Sequence, residues 1–207
     1  MKIVKPKISK YLDKVILNED ITMDDLIDIE VENQEIDFKI KEREFNGCRF
    51  INVDFSLFPL ENISLIDCIF ECCNLSGCDF SGNSIHRVKF DRCNMVGCNF
   101  ILSSIKDVSV FESKGNYINF SDSKIKYFEI VDSVFKEGRF VSTKFEDCVF
   151  DKVNFEGCEF LNTSLKGIDF SSCIIDGIGV RGDDIRGMIV NDSQALMLIG
   201  LFGIVVK

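Results

Sequence analysis

Ten cysteines, one histidine and 34 carboxylates are the groups in this 207-residue chain that could do chemistry. Ten thiols admit three readings: a disulfide framework, a soft-metal site, or small apolar side chains in a core. Spacing separates them. Cys48, Cys68, Cys73, Cys78, Cys93, Cys98, Cys148, Cys158 and Cys173 all fall on one five-residue lattice, and Cys72 alone is out of step. The same lattice slot elsewhere holds Val53, Val88, Ile118, Ser123, Thr143 and Ile168. These share small or moderate size rather than affinity for metals, which favours packing. No Cys/His spacing of the zinc kind accompanies the thiols, and Met1–Lys10 is charged with no apolar run after it, unlike a secretory leader. His86 falls on an outward site, where a surface imidazole is expected. A Cys–His nucleophile fails if the slot cysteines point inward. Glu146-Asp147 and Asp183-Asp184 are neighbours in turns rather than acids facing across a cleft. The expectation is a non-enzymatic chain with no catalytic residue, no metal and no cofactor.

The elements that must position these groups follow from the lattice itself. Stepping by five from Phe45 to Val190 meets 30 positions, and only Gly115 is not apolar, in a chain that is 46% apolar overall. Neither regular element can bury such a pattern. Side chains alternate along a strand, so residues i and i+5 face opposite ways, and in an α-helix five residues advance about 140° beyond a full turn. The chain must therefore turn by the same amount in every unit. The central residue and the one two before it point inward, the residue between them points out, and two residues form a corner. The second corner site supports this: of 29 such sites from 47 to 187, nine are Gly, five Asp and three Asn, the residues that tight turns favour. A strict internal period means a stack of repeats around a continuous core.

Units such as Cys73-Asn74-Leu75-Ser76-Gly77, Cys78-Asp79-Phe80-Ser81-Gly82, Cys93-Asn94-Met95-Val96-Gly97 and Val153-Asn154-Phe155-Glu156-Gly157 resemble the pentapeptide-repeat family, whose pattern is a small residue, Asp or Asn, Leu or Phe, then two variable residues. The resemblance implies an all-β fold, a right-handed quadrilateral parallel β-helix with four pentapeptides per coil, here with a short C-terminal helix. Sorted by a period of 20, two opposite sides hold ten Phe in 15 central positions and the other two hold five in 15. About seven coils at about 4.8 Å give a rod roughly 34 Å long. Gly115 leaves a central site empty, to be filled by Phe111, Tyr117 or a local bulge; Phe58 and Phe128 put large rings in the small slot and mark candidate distortions.

Three segments are expected: a capping segment over residues 1–40, in which Ile27, Ile29 and Val31 and then Ile36, Phe38 and Ile40 alternate as strands do; the repeat over 41–190; and a C-terminal module over 191–207. In the last, Ser193–Ile199 reads as a helix ended by Gly200, with a strand-like apolar run after it. In Qnr-like members of the family such a tail makes a homodimer, so Leu196, Met197, Ile199, Leu201, Phe202, Ile204 and Val206 are candidate dimerisation residues; a simple plug over the last coil is the alternative.

The net charge of −10 argues against direct nucleic-acid binding, which needs clustered Lys and Arg, and no stretch reaches the roughly 18 apolar residues of a membrane span. The chain reads as soluble and cytoplasmic with a basic partner surface. The resemblance to Qnr-like and mycobacterial-type members implies a DNA-like rod that binds type II topoisomerases, DNA gyrase or topoisomerase IV, and modulates quinolone sensitivity. The candidate contact is an acidic stripe of Glu71, Asp91, Glu112, Glu129, Asp132, Asp151 and Asp169, though a solvated repeat face has the same composition. No insertion breaks the register, so the chain resembles the loopless members. A scaffold for a partner other than a topoisomerase is the alternative.

Overall fold

The computed structural model describes residues 2–201 and 203–205. Strands β1 (Asp13–Lys14), β2 (Leu26–Ile27), β3 (Ile29–Glu35), β4 (Lys41–Asn46), β5 (Arg49–Asp54), β6 (Glu61–Glu71), β7 (Ser84–Asp91), β8 (Ser104–Phe111), β9 (Lys124–Val131) and β10 (Lys144–Asp151), with a 3-10 turn at Ile21–Met23, precede the one α-helix among the described residues, α1 (Asp192–Leu201). Every strand pairing is parallel, and from β6 onward partners stand 20 residues apart: Leu65 opposite Ile85, Ile85 opposite Ile105, Ile105 opposite Ile125, Ile125 opposite Phe145. These strands wrap two sides of each coil. Single bridges carry the other two sides, through Asn74, Asn94, Lys114, Val134, Asn154 and Ile174 and through Asp79, Asn99, Asn119, Arg139, Glu159 and Gly179. The product is a parallel β-solenoid of about seven turns.

The corners obey backbone geometry rather than residue type. Of the 29 second corner sites, 26 have positive φ, including bulky residues such as Leu102 (φ 59°) and Tyr117 (φ 60°) that rarely adopt it. Only positions 57, 172 and 182 do not. Closing the coil outweighs the local cost of the left-handed conformation, about 1 kcal/mol or more for a residue with a Cβ.

Inside, phenylalanines stack in two columns. Phe50, Phe70 and Phe90 follow one another at centroid separations of 4.8 and 5.3 Å. Phe80, Phe100, Phe120, Phe140 and Phe160 follow at 4.8–5.3 Å with planes within 20°. The small slot has a second requirement besides size. Its thiol or hydroxyl donates to the carbonyl of the central residue one coil back: Cys68 Sγ to Phe45 O at 3.2 Å, Cys98 Sγ to Leu75 O at 3.0 Å, Ser103 Oγ to Phe80 O at 2.7 Å, Thr143 Oγ1 to Phe120 O at 2.8 Å. Cys, Ser and Thr recur because each is small and also pins one coil to the next. The Asn or Asp before the central residue closes the corner, accepting from the N–H two residues on, as in Asp79 to Ser81 (2.9 Å) and Asn119 to Ser121 (3.0 Å).

The expectation for residues 1–40 meets a more specific arrangement. Leu26 pairs with Phe45 and Val31 with Phe50 at a separation of 19 residues, so β2 and β3 are already solenoid. Leu26, Val31 and Ile36 keep the five-residue step and are buried, and Ile40 follows after only four. That one-residue slip takes the coil out of the strict period. Below it, Leu17 closes the end, held by Gln34 through bonds of 2.8 and 2.7 Å to its N–H and carbonyl.

Two expected irregularities resolve differently. The ring of Phe135, one coil further on, fills the space at Gly115, where an added Cβ would lie 2.9–3.2 Å from three of its carbons; neither Phe111 nor Tyr117 does so. Phe128 is buried in register, its ring edge-on to Phe120 at 5.9 Å, whereas Phe58 is only half-buried where the corner at 56–58 becomes a bend. At the far end α1 runs through Gly200, and the first left-handed glycine after it is Gly203. The expected strand is not seen in the described residues 203–205, and Phe202 and Val206 lie outside the described residues.

Gly115 and Phe135 form a size-matched pair across two coils. Gly115→Ala is expected to destabilise the chain by about 1–3 kcal/mol through overpacking, read as a lower urea midpoint, and Phe135→Leu in the same chain should recover part of the loss.

Candidate functional site

The groups singled out for chemistry separate sharply by burial. All slot cysteines are free and buried except half-buried Cys148, while Cys72 is an exposed corner residue. Burial pushes the thiols of Cys78, Cys148 and Cys158 up to about 12, so they are protonated near neutral pH and poor nucleophiles. Among the described residues no group of three or more His, Cys, Asp or Glu side chains is arranged to hold a metal, and no helix is long and apolar enough to cross a membrane.

His86 is half-buried beside a charged corner. Arg87 grips Asp67 with Nε to Oδ1 at 2.6 Å and Nη2 to Oδ2 at 2.5 Å, and its Nη1 lies 3.0 Å from His86 Nδ1. His86 Nε2 stands 3.6 Å from Asp107 Oδ2. Burial, and then the charges of Arg87 and Lys106, lower the imidazole pKa against the opposing pull of Asp107 and Asp67, so the ring is neutral at pH 7. Burial acts to raise the Asp67 carboxyl, but bonds from Arg87 and the Lys7 N–H outweigh it and hold the pKa below the ordinary value.

That corner carries a feature with no counterpart in the sequence reading. Residues 2–8 run along the outside of the rod, with the Val4 N–H donating to Asp107 Oδ1 at 3.0 Å and the Lys7 N–H to Asp67 Oδ1 at 2.8 Å. Asp67 and Asp107 are 7% and 3% exposed.

The seven acids of the expected stripe share a side and its adjoining corner, but not one environment. Glu71 pairs with Arg49 at 3.1 Å, Asp91 with Lys89 at 2.6 Å and Arg92 at 3.1 Å, and Asp132 with Lys152 at 3.7 Å. Asp169 accepts from the Ser171 N–H at 2.8 Å, closing its own corner. Glu112, Glu129 and Asp151 make no ion pair among the described residues. Phe111 and Val131 stand between Asp91 and Asp151 in the same ladder.

The densest negative charge lies elsewhere. Between Asp13 and Asp37 there are ten acids and one base, Lys14, a net of −9, while residues 2–10 carry four lysines and no acid and residues 38–207 carry 24 acids and 19 bases, net −5. Nine of those ten carboxylates are exposed, and Glu30 is half-buried. Charge counted by segment, rather than by side of the repeat, would have located this acidic first coil.

At the opposite end, Asn191 and Gln194 cap α1 reciprocally, at 3.0 and 2.9 Å. Gln194 Nε2 also donates to the carbonyls of Phe170 (2.9 Å) and Cys173 (2.7 Å), fastening the helix to the last coils. Leu198 is buried against them and Met197 packs at the margin. Ile199 is half-buried, and Leu196, Leu201 and Ile204 are 52–58% exposed.

A parallel β-solenoid whose corners recur every five residues and whose coils recur every 20 is the architecture of a pentapeptide-repeat protein. The chain belongs to that family: its model, pentapeptide repeats (8 copies), matches over residues 44–82, 59–100 and 139–177. No curated protein sequence matches significantly. Among solved structures it is similar to full-length QnrB1, a plasmid-mediated fluoroquinolone resistance protein, at 19% identity over 93% of this chain and 95% of that one, TM-score 0.42. It is also similar to HetL, a pentapeptide repeat protein involved in heterocyst differentiation regulation in the cyanobacterium Nostoc sp. strain PCC 7120, at 13% identity over 82% and 90% of the two chains, TM-score 0.38.

The thiol environments have a direct readout. In native protein at pH 8 one thiol per chain, Cys72, is expected to react with an aromatic disulfide reagent within minutes, Cys72→Ser should abolish that phase, and the other nine should appear only on denaturation.

Proposed function

We propose that this chain is a non-enzymatic binding scaffold that offers a strongly acidic end to a basic partner surface, the DNA channel of a type II topoisomerase being the partner of best charge match. The observation carrying the proposal is the first coil, with nine exposed carboxylates and a net −9 over 25 residues. Such a charge raises the rate and selectivity of encounter with a cationic groove. The charge distribution favours docking through the N-terminal end over mimicry along the rod, since B-DNA carries roughly 20 charges in 34 Å and the stripe of Glu71, Asp91, Glu112, Glu129, Asp132, Asp151 and Asp169 is partly neutralised by its own neighbours. Nine of the ten thiols are buried or half-buried, and the exposed one, Cys72, is met by Arg92 Nε at 3.4 Å rather than by a histidine or carboxylate base, which supports binding over catalysis.

The test is a DNA gyrase supercoiling assay, with quinolone-stabilised cleavage as its second readout because fluoroquinolone resistance is the property of QnrB1. Micromolar protein is expected to inhibit supercoiling, and less so as salt rises. Neutralising Glu19→Gln, Asp24→Asn, Glu35→Gln and Asp37→Asn, whose side chains make no hydrogen bond or ion pair among the described residues, should weaken the effect about tenfold. Unchanged supercoiling and cleavage would reject the topoisomerase and leave a scaffold for another basic partner.

The C-terminal module supports a homodimer. Leu196, Leu201 and Ile204 leave an apolar surface at the rod end beyond what Leu198 and Met197 cover. Light scattering at tens of micromolar should give twice the chain mass, and Leu196→Arg should give the single-chain mass; a monomer for the unmodified chain would overturn this.

A further inference from the structure

Two coil-to-coil rises of the solenoid match the length of three residues of extended peptide, and the Asp67–Arg87–Asp107 corner exploits the match. Asp67 and Asp107 are two coils apart, about 9.6 Å at about 4.8 Å per coil, and three residues of a polyproline-II-like extended chain, one full turn that brings the N–H back to the same side, cover about 9.3 Å. The two carboxylates therefore accept the N–H groups of residues three apart, Lys7 and Val4, at 2.8 and 3.0 Å. Both are nearly buried while held by their own neighbours: Asp67 is fixed by the Arg87 guanidinium and Asp107 stands beside His86. The site is built by the solenoid, and its contacts are to backbone, so it reads peptide conformation rather than one sequence.

Its present occupant does not fill it. Between residues 2–6 and the coil surface a cavity of about 660 Å³ remains, with Ile3 and Pro6 on one wall and Ile69 and Phe111 on the other. Lys2 and Lys5 on the peptide side face a rim that includes Glu129 and Lys89, the latter paired with Asp91 at 2.6 Å. An extended lysine-bearing segment with larger apolar side chains at the places of Ile3 and Pro6 would keep both backbone bonds and occupy the void.

We infer that this corner groove is a docking site for an extended, lysine-rich segment of a partner protein, one with bulky apolar side chains, and that residues 2–8 hold it as a self-ligand. The inference is independent of the topoisomerase reading. Tethered in cis, the arm competes at an effective concentration in the millimolar range, so a partner must out-bind it.

Proline separates arm from groove, because it lacks the N–H that each carboxylate accepts. In the full chain, Val4→Pro with Lys7→Pro should release the arm and leave the groove intact. A fluorescent peptide with the sequence of residues 2–10 is expected to bind this variant at least tenfold more tightly than it binds the unmodified chain, by fluorescence anisotropy. A peptide carrying Ile3→Trp should bind several-fold more tightly again, and adding Asp67→Asn and Asp107→Asn to the proline variant should weaken binding at least tenfold. A chain lacking residues 2–8 is the second release variant and carries the same expectation. Equal affinity for released and unmodified chains, binding indifferent to the two aspartates, or no gain from tryptophan would each overturn the inference.

Discussion

Each coil must close in the same number of residues, because only then do its inward side chains stand over their counterparts and its backbone groups find partners one coil away. At 20 residues per coil, Phe140 lies on Phe120 and Phe160 on Phe140, and carbonyls of one coil meet N–H groups of the next. An error of one residue would turn inward positions outward. That constraint explains why 26 corners adopt a left-handed backbone regardless of residue, since a corner relaxed to an easier conformation would misplace everything above it. The 19-residue first coil shows the tolerance: a single slip is absorbed at the end, between Ile36 and Ile40, where no complete coil has to stack beneath it.

A narrow interior leaves few ways to satisfy polar groups. Cys, Ser and Thr in the small slot donate across coils, and Asn or Asp at the next position closes the corner. The thiols are structural hydrogen-bond donors, which accounts for a cysteine-rich chain with no disulfide and one exposed sulfur. With side chains inside committed to packing, the differences available for recognition lie at corners, outward positions and the two ends. The acidic first coil, the basic arm laid along the Asp67–Asp107 corner and the partly apolar helix are all of this kind.

Charge patterns illustrate how far a linear reading reaches. The acids from Glu71 to Asp169 fall on one side and its corner, because the period dictates direction. Their electrostatic character was not legible, because Arg49 and Lys152 reach Glu71 and Asp132 from neighbouring coils, and Lys89 and Arg92 flank Asp91 at distances only the folded side chains define. The first coil was the reverse case. Its charge could be counted from the chain, yet its place in the solenoid was hidden by the one-residue slip.

Sequence alone determined the repeat, the inward and outward positions, the corners and the two aromatic columns, all consequences of a local period repeated without interruption. Tertiary structure decided what lies opposite what across non-repeating segments: that Phe135 fills the space of Gly115, that Gln34 holds Leu17, that α1 continues through Gly200, and that residues 2–8 lie against Asp67 and Asp107. The division is physical. A period propagates its own geometry from one unit to the next, whereas an arm that contacts coils 60 and 103 residues away is placed by surfaces that exist only once those coils have formed.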